Sequence, residues 1–148
     1  MTLKSPKAKG DGYERAIAKY LNDYLGLPEG TIRRAPLSGG GRQFANQVAG
    51  KRLGVGSADL DGTPGLHVEC KRTERLQPYV ALEQAEASVI SRNTGEIPLV
   101  VTRRNKVKDE DSLAILRLKN FMPTYTAWLR ETGRLALKKE KPSDGLGF

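Results

Sequence analysis

The segment 66–71, Leu-His-Val-Glu-Cys-Lys, constrains the fold of this chain more than any other. Apolar Leu66, Val68 and Cys70 alternate with a histidine, a glutamate and a lysine. Because successive side chains of a β-strand point to opposite faces, this alternation predicts a strand with one apolar and one polar face. Residues 61–65, Asp-Gly-Thr-Pro-Gly, predict a tight turn that leads into the strand.

The spacing of apolar residues predicts the other elements. Asp11 is the expected N-cap of the first helix, and Trp128 is the expected core residue of the last one. Helices are predicted at residues 12–25, at 79–91 and from 121 onward, and further strands at 31–35, 57–60, 97–102 and 113–118. The order α-β-β-β-α-β-β-α predicts an α/β domain with a small mixed sheet flanked by helices.

Length and composition limit the class of protein. The 148 residues fit one domain over 1–148, with a flexible basic arm at 1–10 and a flexible tail at 138–148. No apolar run is long enough to cross a membrane, and the polar first residues lack the core of a signal peptide, so we expect a cytoplasmic protein. A single cysteine and a single histidine exclude a disulfide framework and a zinc cluster.

The strong positive charge of the chain points to a polyanionic partner. Lys and Arg number 25 against 17 Asp and Glu, a formal net charge of +8. Such a balance favours nucleic-acid binding through phosphate contacts, although a solvated basic surface also explains it. No recognition helix is visible, so binding selective for DNA structure is expected over sequence reading. The candidate DNA-binding residues are Arg33, Arg34, Arg42, Lys51, Arg52, Arg72 and Arg75.

Two carboxylates and an amine form the candidate chemical site. Glu69 and Lys71 share one face of the predicted strand, and the turn before it can bring Asp59 next to Glu69. Neighbouring carboxylates repel each other unless a cation such as Mg²⁺ lies between them. Lys71 would then activate the attacking water or stabilise the charge that develops on the phosphate. The alternative is an exposed strand face with a weak ion pair.

Three further residues bear on this site. Glu14 lies on the apolar stripe of the first helix, where a buried carboxylate needs a partner, although it would also fit the stripe's solvent edge. His67 is on the same strand face as Glu69, and we expect it to be exposed. Cys70, on the apolar face, is expected to be a core residue and not a nucleophile.

In this order, Glu14, Asp59 and Glu69-Cys70-Lys71 resemble the PD-(D/E)xK nuclease superfamily, most closely the archaeal-type Holliday junction resolvases and their phage and prophage relatives. Ser38 in a Ser-Gly loop and Gln84 on the following helix also match, whereas Ala58 stands where the motif has proline. The resemblance implies a restriction-endonuclease-like core, a homodimer and a metal-dependent endonuclease acting on branched DNA in recombination. In a phage-encoded protein this activity would belong in the host cytoplasm.

By the same resemblance, each matched residue receives a role. The implied cofactor is Mg²⁺, with Mn²⁺ as a substitute. Asp59, Glu69 and Glu14 would hold the metal, Lys71 would join them in catalysis, and Ser38 and Gln84 would lie at the site edge.

Two other interpretations remain open. The first is a nuclease of the same superfamily that prefers duplex, flap or single-stranded DNA, as in restriction or repair. The second is a basic DNA-binding module without catalytic activity.

Overall fold

The computed structural model of the chain describes residues 5–36 and 58–136. They divide along the sequence into two compact units, the first ending at Leu116 and the second beginning at Arg117. The single domain expected from the length stays a prediction. The expected tail at 138–148 and residues 1–4 of the expected arm lie outside the described residues.

The described residues form a mixed α/β fold, and their elements follow the predicted order. The helices are α1 (Pro6–Leu25), α2 (Pro78–Arg92) and α3 (Leu118–Glu131). The strands are β1 (Arg33–Arg34), β2 (Leu60–Asp61), β3 (Leu66–Arg72), β4 (Ile97–Arg103) and β5 (Leu113–Ile115), with one 3₁₀ turn at Asp109–Asp111.

The start of α1 differs from the prediction. The helix begins at Pro6, so residues 6–10 of the expected basic arm are helical, and Asp11 lies inside the helix instead of capping it. Proline suits the first helical position because the amide hydrogen it lacks has no partner there. Lys7, Ala8 and Lys9 are good helix formers that carry no apolar periodicity, so the pattern did not indicate this first turn.

The central sheet has three strands, and β4 lies between β3 and β5. β3 runs parallel to β4, with Glu69 in register with Val100, and β5 runs antiparallel to β4, with Ile115 opposite Val100. The sheet is therefore mixed, as predicted. β1 and β2 form a separate two-residue antiparallel pair, in which Arg34 is opposite Leu60.

The two faces of the sheet pack against different helices. On one face, Tyr13 and Ile17 of α1 form a buried cluster with Val68 and Cys70 of β3. On the other face, Ala81, Leu82 and Ala85 of α2 cluster with Val100 of β4. As expected, Cys70 is a core residue, and burial raises the pKa of its thiol. The polar face of β3 therefore points to the side on which α2 lies.

The second unit contains α3, whose aromatic side chains stack along one helix face. Ring centroids of Phe121 and Tyr125 are 5.7 Å apart, and those of Tyr125 and Trp128 are 6.0 Å apart. The Arg134 guanidinium lies 4.8 Å from the centre of the Trp128 ring. Trp128 is 49 % exposed, so its expected place in a core is wrong.

Among the described helices, none combines the length and the apolarity needed to cross a membrane.

Asn22 joins α1 to the segment that leads into β1. Its Oδ1 accepts from the Ile32 amide at 2.9 Å, and its Nδ2 donates to the Ile32 carbonyl at 2.8 Å. Asn22 and Ile32 are both 4 % exposed, so water cannot replace these bonds. The Asn22 side chain thereby provides hydrogen-bond partners for the buried N–H and C=O of Ile32. These bonds hold Arg34, two residues further on, beside α1.

We expect Asn22→Ala to lower the free energy of unfolding by about 2–4 kcal/mol, because it leaves a buried amide and a buried carbonyl without partners. Urea denaturation of the variant and the wild type measures the difference. The matched control is Asn105→Ala, at an exposed position, which should change stability by less than about 0.5 kcal/mol. Equal effects of the two substitutions would contradict this role of Asn22.

Candidate metal centre

Asp59 is held by hydrogen bonds at the edge of β3 that faces away from β4. Its amide donates to the Val68 carbonyl at 2.9 Å, and its carbonyl accepts from the Ala35 amide at 2.8 Å. Its carboxylate Oδ2 accepts from the Cys70 amide at 2.8 Å. The Asp59 side chain thus provides the hydrogen-bond acceptor that a neighbouring strand would otherwise give the Cys70 amide. Cys70 directly follows Glu69 in the chain.

The turn before β3 brings the chain back to this position. Gly62 has a φ of +86°, and a Cβ atom there would lie 2.1 Å from the Thr31 carbonyl oxygen. Only glycine fits this close approach of the turn to the segment before β1. The predicted tight turn is therefore present, and it places Asp59 between the β1 segment and β3.

The carboxylates of Asp59, Glu69 and Glu14 lie near enough for their charges to interact. The pKa of Asp59 is raised above its usual range, first by burial and then by the negative charge of Glu69. Glu14 adds to this shift, and the hydrogen bond from the Cys70 amide opposes it. The structure therefore brings the two predicted carboxyl groups together, and Asp59, with its pKa raised to about 8, keeps its proton at neutral pH when no cation is bound.

Glu14 also has a cationic neighbour. The Arg34 Nε donates to Glu14 Oε2 at 2.7 Å, and its Nη2 donates to Asp11 Oδ1 at 2.8 Å. Glu14 is buried, so it is the carboxylate in need of a partner and does not lie at the solvent edge of the helix stripe. Arg34 is that partner and offsets its charge. The metal-binding role of Glu14 stays a prediction.

His67 is buried, contrary to the expectation that it is exposed. Its side chain has 0 % exposure, and its Nε2 lies 2.8 Å from Glu69 Oε1. The sequence indicated the correct strand face, but α2 covers this side of the sheet, and that packing is not visible in a local pattern. The other ring nitrogen, Nδ1, is buried and has no hydrogen-bond partner in the part of the chain that the structure describes.

The remaining predicted site residues differ in position. Lys71 is half-buried on β3, two residues after Glu69 and in register with Thr102 of β4. Gln84 is exposed on α2, and its role at the site edge stays a prediction. Ser38, Arg42, Lys51 and Arg52 lie outside the described residues.

A basic groove is lined by residues of α1 and of the segment 29–34, and Asp59, Glu69 and Glu14 are not among the described residues that line it. This cavity of about 580 Å³ is lined by four cationic and two anionic side chains, and Arg34 belongs to both the groove and the Glu14 ion pair. Arg15, which directly follows Glu14 on α1, was not singled out in the sequence, although it is four residues before Lys19 on the same helix. The charged lining residues are Arg15, Lys19, Arg33, Arg34, Asp23 and Glu29.

Two other predicted phosphate contacts, Arg72 and Arg75, are described and do not line this groove. Arg75 is exposed after β3, and Arg72 is half-buried at the end of the strand. The Arg72 Nε is buried and has no hydrogen-bond partner in residues 5–36 and 58–136. Their contact with DNA stays a prediction.

The pair Asp59 and Glu69 suits Mg²⁺ better than a metal that needs many protein ligands. Within residues 5–36 and 58–136, no three His, Cys, Asp or Glu side chains form a group that could hold a metal ion. Mg²⁺ retains several waters and is commonly bound by one or two carboxylates together with substrate phosphates. Two neighbouring carboxyl groups that release their remaining proton when a cation binds would meet that requirement.

Comparisons of the chain with protein-family models, curated proteins and solved structures give no match. The function proposed below therefore rests on the residues of this chain.

We expect the burial of Asp59 beside Glu69, which raises its pKa to about 8, to make the metal-free protein less stable as the pH rises from about 4 to about 8. A carboxyl group with a raised pKa keeps its proton in the folded state above about pH 4, where the unfolded chain releases it, so ionisation favours unfolding. Asp59→Asn removes one charge of the pair. In chelator, its stability relative to the wild type should increase from pH 4 towards neutrality, as urea denaturation at several pH values would measure.

Asp61→Asn is the matched control for that series, since Asp61 lies two residues further along the chain. A pH dependence that Asp59→Asn and Asp61→Asn leave equally unchanged would show that the pKa of Asp59 is not raised in the folded protein.

Proposed function

We propose that this protein is a Mg²⁺-dependent DNA endonuclease that hydrolyses phosphodiester bonds. The observation that carries the proposal is the buried Asp59, which is fixed beside Glu69 and has a pKa raised first by burial and then by that neighbour. Such a pair is unfavourable in a protein interior without a cation. In this proposal, Asp59 and Glu69 hold the metal and Lys71 is the catalytic amine.

The metal would supply the Lewis acidity that activates water and polarises the phosphodiester. Each residue of the chain then has a separate task. Hydrogen bonds to the backbone of β3 and to Ala35 keep Asp59 in place, and His67 contacts Glu69. Lys71, next along the polar face of β3, provides positive charge near the site.

Lys71 has two possible tasks in this reaction. As an ammonium group, it would stabilise the negative charge that develops on the phosphate. As a neutral amine, it would accept a proton from the attacking water. Its position on the same strand as Glu69 supports either task, because residues two apart on a strand share a face.

The basic groove gives the DNA backbone a path to the carboxylates. Arg33 and Arg15 are exposed, and Arg34 connects the groove lining with Glu14. Cationic side chains of this kind bind phosphates without reading bases, so they support recognition of DNA shape.

The proposal extends to the PD-(D/E)xK superfamily, with a resolvase-like activity on branched DNA. It is supported by the mixed sheet between α1 and α2, and by acidic residues from α1, the β2 segment and β3 at one sheet edge. A homodimer in the cytoplasm, activity with Mn²⁺ and a role in recombination belong to the same proposal.

The Glu14–Arg34 ion pair favours a second candidate, a basic DNA-binding module without catalytic activity. The pair offsets the charge of one predicted metal ligand, and Arg34 also contacts Asp11. Such a protein would bind DNA through the groove and cleave none. With a divalent cation present, the endonuclease would cleave DNA and the binding module would not.

We expect Glu69→Gln to reduce Mg²⁺-dependent DNA cleavage by at least about 100-fold, because it removes a charged ligand but keeps the side-chain shape. DNA binding should be retained, since the basic groove is unchanged. Nicking and cleavage assays on a labelled four-way junction, a flap, a linear duplex and a single strand measure the activity. Glu83→Gln, at an exposed position of α2, is the control with wild-type activity.

The substrates and metals in this assay separate the candidates. Preferred cleavage of the junction supports a resolvase-like enzyme, and preferred cleavage of another substrate supports a nuclease of different selectivity. Binding without cleavage in either Mg²⁺ or Mn²⁺ would favour the non-catalytic module. Full activity of Glu69→Gln would remove the site assignment.

We expect Arg33→Ala combined with Arg15→Ala to weaken DNA binding similarly for every sequence, because both residues would contact phosphates. Each lost phosphate contact should lower the slope of log affinity against log salt by about 1. Fluorescence anisotropy over a salt series measures this slope. Arg130→Ala on α3 is the control, and an unchanged slope in the double variant would exclude the groove as the DNA path.

A further inference from the structure

The geometry assigns His67 a positioning role: we propose that this buried imidazole orients the Glu69 carboxylate for a divalent cation. The inference rests on the function proposed above and names a residue that the metal site needs but that does not touch the metal. It starts from the contact between His67 Nε2 and Glu69 Oε1, 2.8 Å apart on the same face of β3.

This hydrogen bond places a hydrogen on one ring nitrogen. A carboxylate oxygen can only accept, so Nε2 carries the hydrogen and donates it to Glu69. The other nitrogen, Nδ1, is buried and has no hydrogen-bond partner among the described residues. Within that part of the chain, the polar contact of the fully buried His67 is therefore with the proposed metal ligand.

Stability alone does not explain a histidine at this position. A buried nitrogen without a partner destabilises the folded state, and an apolar side chain of similar volume would avoid this loss. The register places His67 beside the buried Pro98 of β4. We therefore assign the role of His67 to its contact with Glu69.

Orientation of Glu69 is what that contact provides. The bond uses Oε1 only and restricts rotation of the carboxyl group, which otherwise has several rotamers. A ligand that is already oriented loses less conformational entropy when a cation binds. Partners of this kind typically change metal affinity by roughly 10- to 100-fold.

The test compares His67→Leu with His67→Gln in the full chain. Leucine fills the space without a donor, so the melting temperature in chelator should stay the same or rise, while the dissociation constant for Mn²⁺ rises roughly 10-fold or more. Glutamine keeps a side-chain N–H donor, so it should restore most of the affinity. Loss of the free Mn²⁺ signal in electron paramagnetic resonance measures binding, and thermal denaturation measures stability.

The following outcomes would contradict the positioning role of His67. Wild-type Mn²⁺ affinity in His67→Leu, equal losses in the leucine and glutamine variants, or a fall in melting temperature that accompanies the loss of affinity would each overturn the positioning role while the proposed function stands. A wild-type protein that binds Mn²⁺ no better than Glu69→Gln would overturn both. If His67→Leu does not fold, His67→Met provides the same comparison.

Discussion

The bond between the Asp59 carboxylate and the Cys70 amide is the interaction on which the site depends. A strand at the edge of a sheet presents amides that need partners, and here a side chain meets that need instead of another strand. The backbone of Asp59 is bound from both sides, by Val68 of β3 and by Ala35 after β1. These bonds hold a carboxylate beside Glu69 despite the repulsion between them.

The two glutamates near Asp59 each have a partner of their own. Arg34 pairs with Glu14, and His67 contacts Glu69. Burial and the neighbouring Glu69 still raise the pKa of Asp59. A hard cation would displace the proton of this pair, and the basic groove that includes Arg34 would bring phosphates to it. The same arrangement thus accounts for the buried carboxylates and for the basic character of the surface beside them.

Local patterns predicted the parts of this structure that depend on local geometry. The alternation of residues 66–71 gave the position of β3 to within one residue and the faces of Cys70 and Glu69, because a strand has a fixed period of two. The burial of His67 depends on α2, and the pairing of Glu14 with Arg34 joins residues 20 positions apart. No short window of sequence contains those contacts. The additional first turn of α1 was missed because it carries no apolar stripe.

The most direct test of the central claim is a crystal structure of the protein grown with Mn²⁺, with anomalous scattering measured at the manganese edge. We expect one peak bonded to an oxygen of Asp59 and an oxygen of Glu69, while His67 remains hydrogen-bonded to the other oxygen of Glu69. A fully occupied Mn²⁺ elsewhere, with no peak between these two carboxylates, would contradict it.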